Sequence, residues 1–199
     1  PSLAGNENTA IGHEALTSNT SGAANTALGR SGLAANTTGS YNSAVGFNSL
    51  GANTTGASNS ALSSEVLQAN TTGSNNTGVG RQALSSNTTA GNNTAVGYYS
   101  LKANTTGGEN VAFGESALLS NTTASNNTAV GKSSLAANTT GADNVAIGRD
   151  ALLLNTTASN NSAIGRHSLG SNTTGTFNVA IGNYTLDANT TANNNTAVG

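Results

Sequence analysis

Asn93-Thr94-Ala95-Val96-Gly97-Tyr98-Tyr99-Ser100-Leu101-Lys102-Ala103-Asn104-Thr105-Thr106-Gly107-Gly108-Glu109 is followed at once by Asn110-Val111-Ala112-Phe113-Gly114, the same opening 17 residues later. Stepping by 17 from Asn8 reaches Asn25, Asn42, Asn59 and so on to Asn195, and every position is Asn. The same step from Leu16 meets Leu each time up to Leu186. A third register holds Asn19, Asn36, Asn53, Asn70, Asn87, Asn104, Asn121, Asn138, Asn155, Asn172 and Asn189. With the first Asn as phase 1, the unit reads Asn-[Thr/Ser/Val]-Ala-[Val/Ile/Leu/Phe]-Gly-x-x-[Ala/Ser]-Leu-x-x-Asn-Thr-[Thr/Ser]-[Gly/Ala]-x-x, without insertion or deletion.

A unit of 17 residues is too short for a helical hairpin repeat, which needs about 33. It suits one coil of a β-solenoid. Thr-Ala-Val pieces bounded by Asn and Gly read as brief strands between corners, where Gly supplies positive φ and Asn tolerates it. The spacing therefore predicts an all-β chain: a β-solenoid (parallel β-helix or β-roll) of about 11–12 coils. Residues 1–199 form one repeat domain, with units starting at Asn8. Coils about 4.8 Å apart make a rod of roughly 55 Å. The chain stops in mid-repeat at Gly199 and reads as a piece of a longer or processed chain.

The phases sort by polarity. Every charged residue and both His fall at phases 6, 7, 10 and 17, as do six of the seven aromatics at phases 6, 7 or 17. Burying unpaired charge is costly, so these phases mark the solvent side. The aliphatics at phases 4 and 9 are expected to form the core. Phase 3, outward on that reading, is still Ala everywhere except Gly78. A second chain or sheet packed too close for anything larger would explain it, as would Ala tucked into a tight corner. In the fourth unit Ser63 replaces Gly and Val66 replaces a small residue, which predicts a local distortion. From Gly107 on, Gly at phase 15 is followed by Val at phase 2, and Ala by Thr or Ser. Balanced volumes or 34-residue duplications would produce this.

Charged residues make up 7% of the chain against a usual share of about 25%, and the net charge is -2. Neither gives a reason to expect a nucleic-acid partner. No apolar run approaches a membrane span, so no membrane insertion is expected. The absence of Cys leaves the redox compartment open.

Catalytic constellations are absent from the pattern. His13 and His167 stand far apart at outward phases, and acidic residues do not recur in pairs. No ligand spacing for a metal and no phosphate loop occurs, so the reading is a non-enzyme with no cofactor. The Asn and Thr rows can stack as amide and hydroxyl ladders from coil to coil. The phase 12 Asn residues, from Asn19 to Asn189, also each begin an Asn-x-Ser/Thr acceptor sequence, which makes them candidate N-glycosylation sites and covalent glycans candidate partners. O-linked sugars on the Thr rows are a further option. Phases 6 and 7 form a candidate contact ridge with Phe47, Tyr98, Tyr99, Arg149, His167 and Tyr184.

The stretch from Asn92 to Gly107 resembles the Asn-Thr-Ala-Val-Gly and Asn-Thr-Thr-Gly repeat arrays of bacterial surface or tail-fibre-like proteins, and the resemblance covers essentially the whole chain. More distantly, Asn144-Val145-Ala146-Ile147-Gly148 is similar to the head repeat of trimeric autotransporter adhesins, whose unit is shorter. That likeness implies surface exposure, adhesion and a trimer. The expectation is a structural shaft of an extracellular, cell-surface or virion fibre. Its partner is itself, as a trimer or an end-to-end filament. An adhesin or receptor-binding fibre is the alternative, followed by an ice-binding solenoid.

Overall fold

The computed structural model describes residues 5–199. Twelve three-residue strands run from β1 (Thr9–Ile11) through β2 (Thr26–Leu28), β3 (Ser43–Val45), β4 (Ser60–Leu62), β5 (Thr77–Val79), β6 (Thr94–Val96), β7 (Val111–Phe113), β8 (Thr128–Val130), β9 (Val145–Ile147), β10 (Ser162–Ile164) and β11 (Val179–Ile181) to β12 (Thr196–Val198). They form one parallel sheet in sequence order. Each residue pairs with its equivalent 17 positions on, as Thr94 does with Val111 and Ala95 with Ala112. The chain is therefore a β-solenoid with one unit per coil.

Only phases 2–4 are strand, yet backbone bonds tie the coils together on the other sides too. The phase 9 N–H donates to the next coil's phase 8 carbonyl, as Leu101 does to Ala117 O at 2.9 Å. The phase 13 N–H donates to the next phase 13 carbonyl, as Thr105 does to Thr122 O at 2.8 Å. The corners between these sides use the left-handed backbone region. Gly at phase 5 adopts it, with φ from 108° to 138° between Gly12 and Gly182. Phases 7, 9 and 17 adopt it without Gly, and Leu118 has φ 51°. Such a Leu costs about 1–2 kcal/mol in backbone strain. Full burial of its side chain returns a similar amount.

The core is narrower than the sequence suggests, and it inverts the strand. Phase 3 Ala points inward and is fully buried in Ala27, Ala44, Ala95 and Ala112. Phase 4 points outward: Ile11, Leu28, Leu62, Phe113, Ile147, Ile164 and Ile181 are all exposed. The phase 9 Leu column, Leu16 to Leu169, joins the phase 3 Ala column in one buried core, and the phase 8 residue lies next to phase 3: a methyl on Gly32 would sit 3.6 Å from Ala27 Cβ. Ala is thus held at phase 3 by the interior of its own chain, where the phase 8 residue lies against it as Val66 does against Gly78, and phase 4 is not core. The volume balance between phases 15 and 2 fails for the same reason. Ala124 at phase 15 is buried while Val111 at phase 2 is 40% exposed, so the two share no cavity.

The fourth coil keeps its pairing, Ala61 with Gly78 and Leu62 with Val79. Its irregularity is confined to Ser63, a non-Gly residue at φ 123°. Val66 is fully buried. It fits because Gly78, the one missing Ala, lies over it; a methyl on Gly78 would overlap Val66 Cγ1. Gly78→Ala should therefore cost about 1–3 kcal/mol by overpacking. Adding Val66→Ala restores the Ala/Ala combination that Ala117 and Ala129 already use, and thermal melts should show most of the loss recovered.

Candidate functional site

Part of the buried interior is polar. At phase 12 each Asn Nδ2 donates to the Asn Oδ1 of the preceding coil at 2.8–3.1 Å, forming an unbroken amide ladder from Asn19 to Asn189. The same Nδ2 also donates to the phase 15 carbonyl of its own coil, as Asn87 does to Ala90 O at 3.0 Å. Phase 1 forms a second ladder through the backbone. The Asn76 N–H donates to Asn59 Oδ1 at 3.0 Å, and Asn76 Nδ2 donates to Ala90 O at 2.8 Å. The two Asn rows thus converge on one carbonyl row. No buried side-chain nitrogen or oxygen among the described residues lacks a partner. A buried amide is tolerated only when satisfied in this way.

This geometry places the acceptor Asn residues inside the folded coil. Asn36 through Asn172 at phase 12 are fully buried, and both Nδ2 protons are engaged. A glycan on that nitrogen would remove the ladder and has no space inside the lumen. The phase 12 Asn residues are therefore structural rungs in the folded rod. The Thr rows divide differently. Phase 13 hydroxyls donate to the next coil's phase 13 carbonyl at 2.9–3.3 Å. Phase 14 hydroxyls, such as Thr38, Thr72 and Thr106, are exposed. Thr37 and Thr38 lie in a bend, so they offer a single exposed rank.

The ridge at phases 6 and 7 lies outside, where the charge pattern puts it, and its members bridge neighbouring coils. The Arg30 guanidinium sits 5.8 Å from the Phe47 ring, and Lys132 pairs with Glu115 at 3.0 Å. His167 stacks on Tyr184 at 5.5 Å, its Nδ1 lies 2.6 Å from Asp187 Oδ1, and Arg166 lies 5.2 Å from the Tyr184 ring. Arg149 pairs with Asp150 at 3.1 Å. Tyr98 and Tyr99 stack at 3.8 Å, and Lys102 lies 4.1 Å from the Tyr99 ring. Tyr99 pushes the Tyr98 phenol above its ordinary value, chiefly by a side-chain hydrogen bond. The six ridge candidates thus separate into three groups along the rod: Phe47, then Tyr98 with Tyr99, then Arg149, His167 and Tyr184. No group of three or more metal-ligating side chains gathers among the described residues. No helix there is long and apolar enough to cross a membrane.

One surface escapes the reading of the sequence: the outer face of the sheet. Phases 2 and 4 line it, with Thr, Ser or Val on one row and Ile, Leu, Val or Phe on the other, and no charge on either. The signal for it was present in phase 4, which never turns polar in twelve coils although phases 6, 7, 10 and 17 vary freely. Set against protein-family models, curated proteins and solved structures, the chain matches none.

Proposed function

We propose that this chain is a non-catalytic shaft segment of an extracellular fibre or filament. The observation that carries this reading is the continuity of bonding along the rod. Strands, both Asn ladders, the Thr row and the Leu column all link each coil to its neighbours without a gap. Such an array resists bending and local opening because every coil is held on each side by the next. End strands β1 and β12 pair on one side only, and free strand edges recruit further strands. Where sugars decorate the rod, they sit on the exposed phase 14 hydroxyls.

A second reading, an adhesin, draws on the ridge, where Phe47, Tyr98 and Tyr184 are 42–49% exposed and Phe47 and Tyr184 lie beside arginines. Gold-labelled antibodies against the chain, applied to intact source cells or particles, distinguish the two. The shaft reading expects label along the length of an appendage. Label confined to tips supports the adhesin. Label that appears only after permeabilisation overturns both.

A further inference from the structure

The outer sheet face carries one knob and one hole. Phe113 on β7 is the only aromatic in the two outward rows, and it stands 56% exposed. On the same face a shallow apolar depression lies over β3–β5, lined by Val45, Ser60, Leu62, Gly78 and Val79. It lies where the phase 2 residues, Ser43 and Ser60, are small. Its centre at Leu62 lies three coils, or about 14 Å, from Phe113.

We infer that two copies of this chain pack face to face through this surface, antiparallel, with Phe113 of each seated in the depression of the other. This inference rests on the shaft reading and names the lateral partner within it. Knob and hole on one surface are the mark of an isologous two-fold contact, in which residue i meets j and j meets i. A two-fold axis along the strand direction sets phase 4 rows against each other and reverses one rod. With β7 over β4 of the partner, β3 faces β8 and β5 faces β6. A two-fold axis along the rod would instead set each coil against its own equivalent and leave both knobs without holes.

A second copy fits the face better than other occupants. The apolar phase 4 row runs the whole described length, and only an array of the same pitch matches it coil for coil. Ten overlapping strands about 10 Å wide cover roughly 1,000 Å² in total, the lower bound of a specific interface. A three-fold arrangement fits worse. Three sheets at the usual spacing of about 10 Å enclose a prism with sides of about 17 Å, whereas a three-residue strand spans about 10 Å.

The test uses the full chain, which has no Cys of its own. Light scattering after gel filtration should give twice the 19.4 kDa mass of one copy. Val45→Cys and Val130→Cys, mixed and oxidised, should cross-link to each other. Each alone should not, because its own equivalents lie about 24 Å apart across the pair. Phe113→Ala should weaken pairing at least tenfold, while Phe177→Ala, an exposed aromatic off this face, should leave it unchanged. Both are outward, so circular dichroism should match the parent. A monomer at tens of micromolar, a trimer, or Val45→Cys cross-linking to itself would overturn the inference. Antibody label along appendages tests the shaft reading separately, so one can fail without the other.

Discussion

Replacing Asn87 by Asp should destabilise the rod more than almost any other single exchange, by about 3–5 kcal/mol at neutral pH. Asn87 is fully buried; its Nδ2 donates to Asn70 Oδ1 and Ala90 O, and its Oδ1 accepts from Asn104 Nδ2. A carboxylate still accepts from Asn104 but faces two acceptors with no proton to give, and its charge is buried without a partner. Burial raises the folded pKa of this Asp above its unfolded value near 4. The folded state then binds the proton more tightly. Stability is greatest below the unfolded pKa and is lost as pH rises through the folded one. Melts of Asn87→Asp should therefore improve from pH 7 to pH 4, while Asn87→Ala, down by about 2–4 kcal/mol, should show no such trend. At the rod end, Asn189 is only half-buried. Asn189→Ala should cost under about 1 kcal/mol.

Leu118→Ala should cost about 2–5 kcal/mol. Leu118 lies fully buried in the column between Leu101 and Leu135. The walls around it are fixed by coil-to-coil hydrogen bonds, such as Leu118 N to Ser134 O at 3.0 Å, so the lumen cannot collapse onto the gap. Leu186→Ala is the control. That side chain packs against the column but is only half-buried, and its loss should cost less than half as much. Urea denaturation with tyrosine fluorescence measures both, and the slope should remain unchanged.

The period, the parallel register and the outward charges were legible because each is a property of spacing. The Asn ladders were legible too, since identical amides 17 residues apart must stack once the coil is granted. The direction of the strand was not. In a three-residue strand a one-residue slip exchanges the faces. Ranking side chains by hydrophobicity puts Val96 and Ile147 inside, whereas the lumen has room only for Ala95 and Ala146. The deciding information lies in the corners. Left-handed backbone at phases 7 and 9 swings Leu across the lumen, and nothing in Leu as a residue type announces positive φ. The invariance of Ala at phase 3 is visible and marks a close approach; the close neighbour lies in the chain's own core, at phase 8, as Val66 does against Gly78. The acceptor pattern and the ladder are not separable in the sequence for a related reason, since Asn-Thr-Thr serves both alike.

Distances along the rod test the account most directly. Thr38, Thr106 and Thr174 are exposed at phase 14, four coils apart in turn. Spin labels on Thr38→Cys/Thr106→Cys and Thr38→Cys/Thr174→Cys, diluted with unlabelled chain, report two spans. A stacked rod predicts narrow distributions near about 19 Å and about 38 Å, an advance of about 4.8 Å per coil. Broad distributions, or a longer pair no farther apart than the shorter one, would contradict the solenoid and every function built on it.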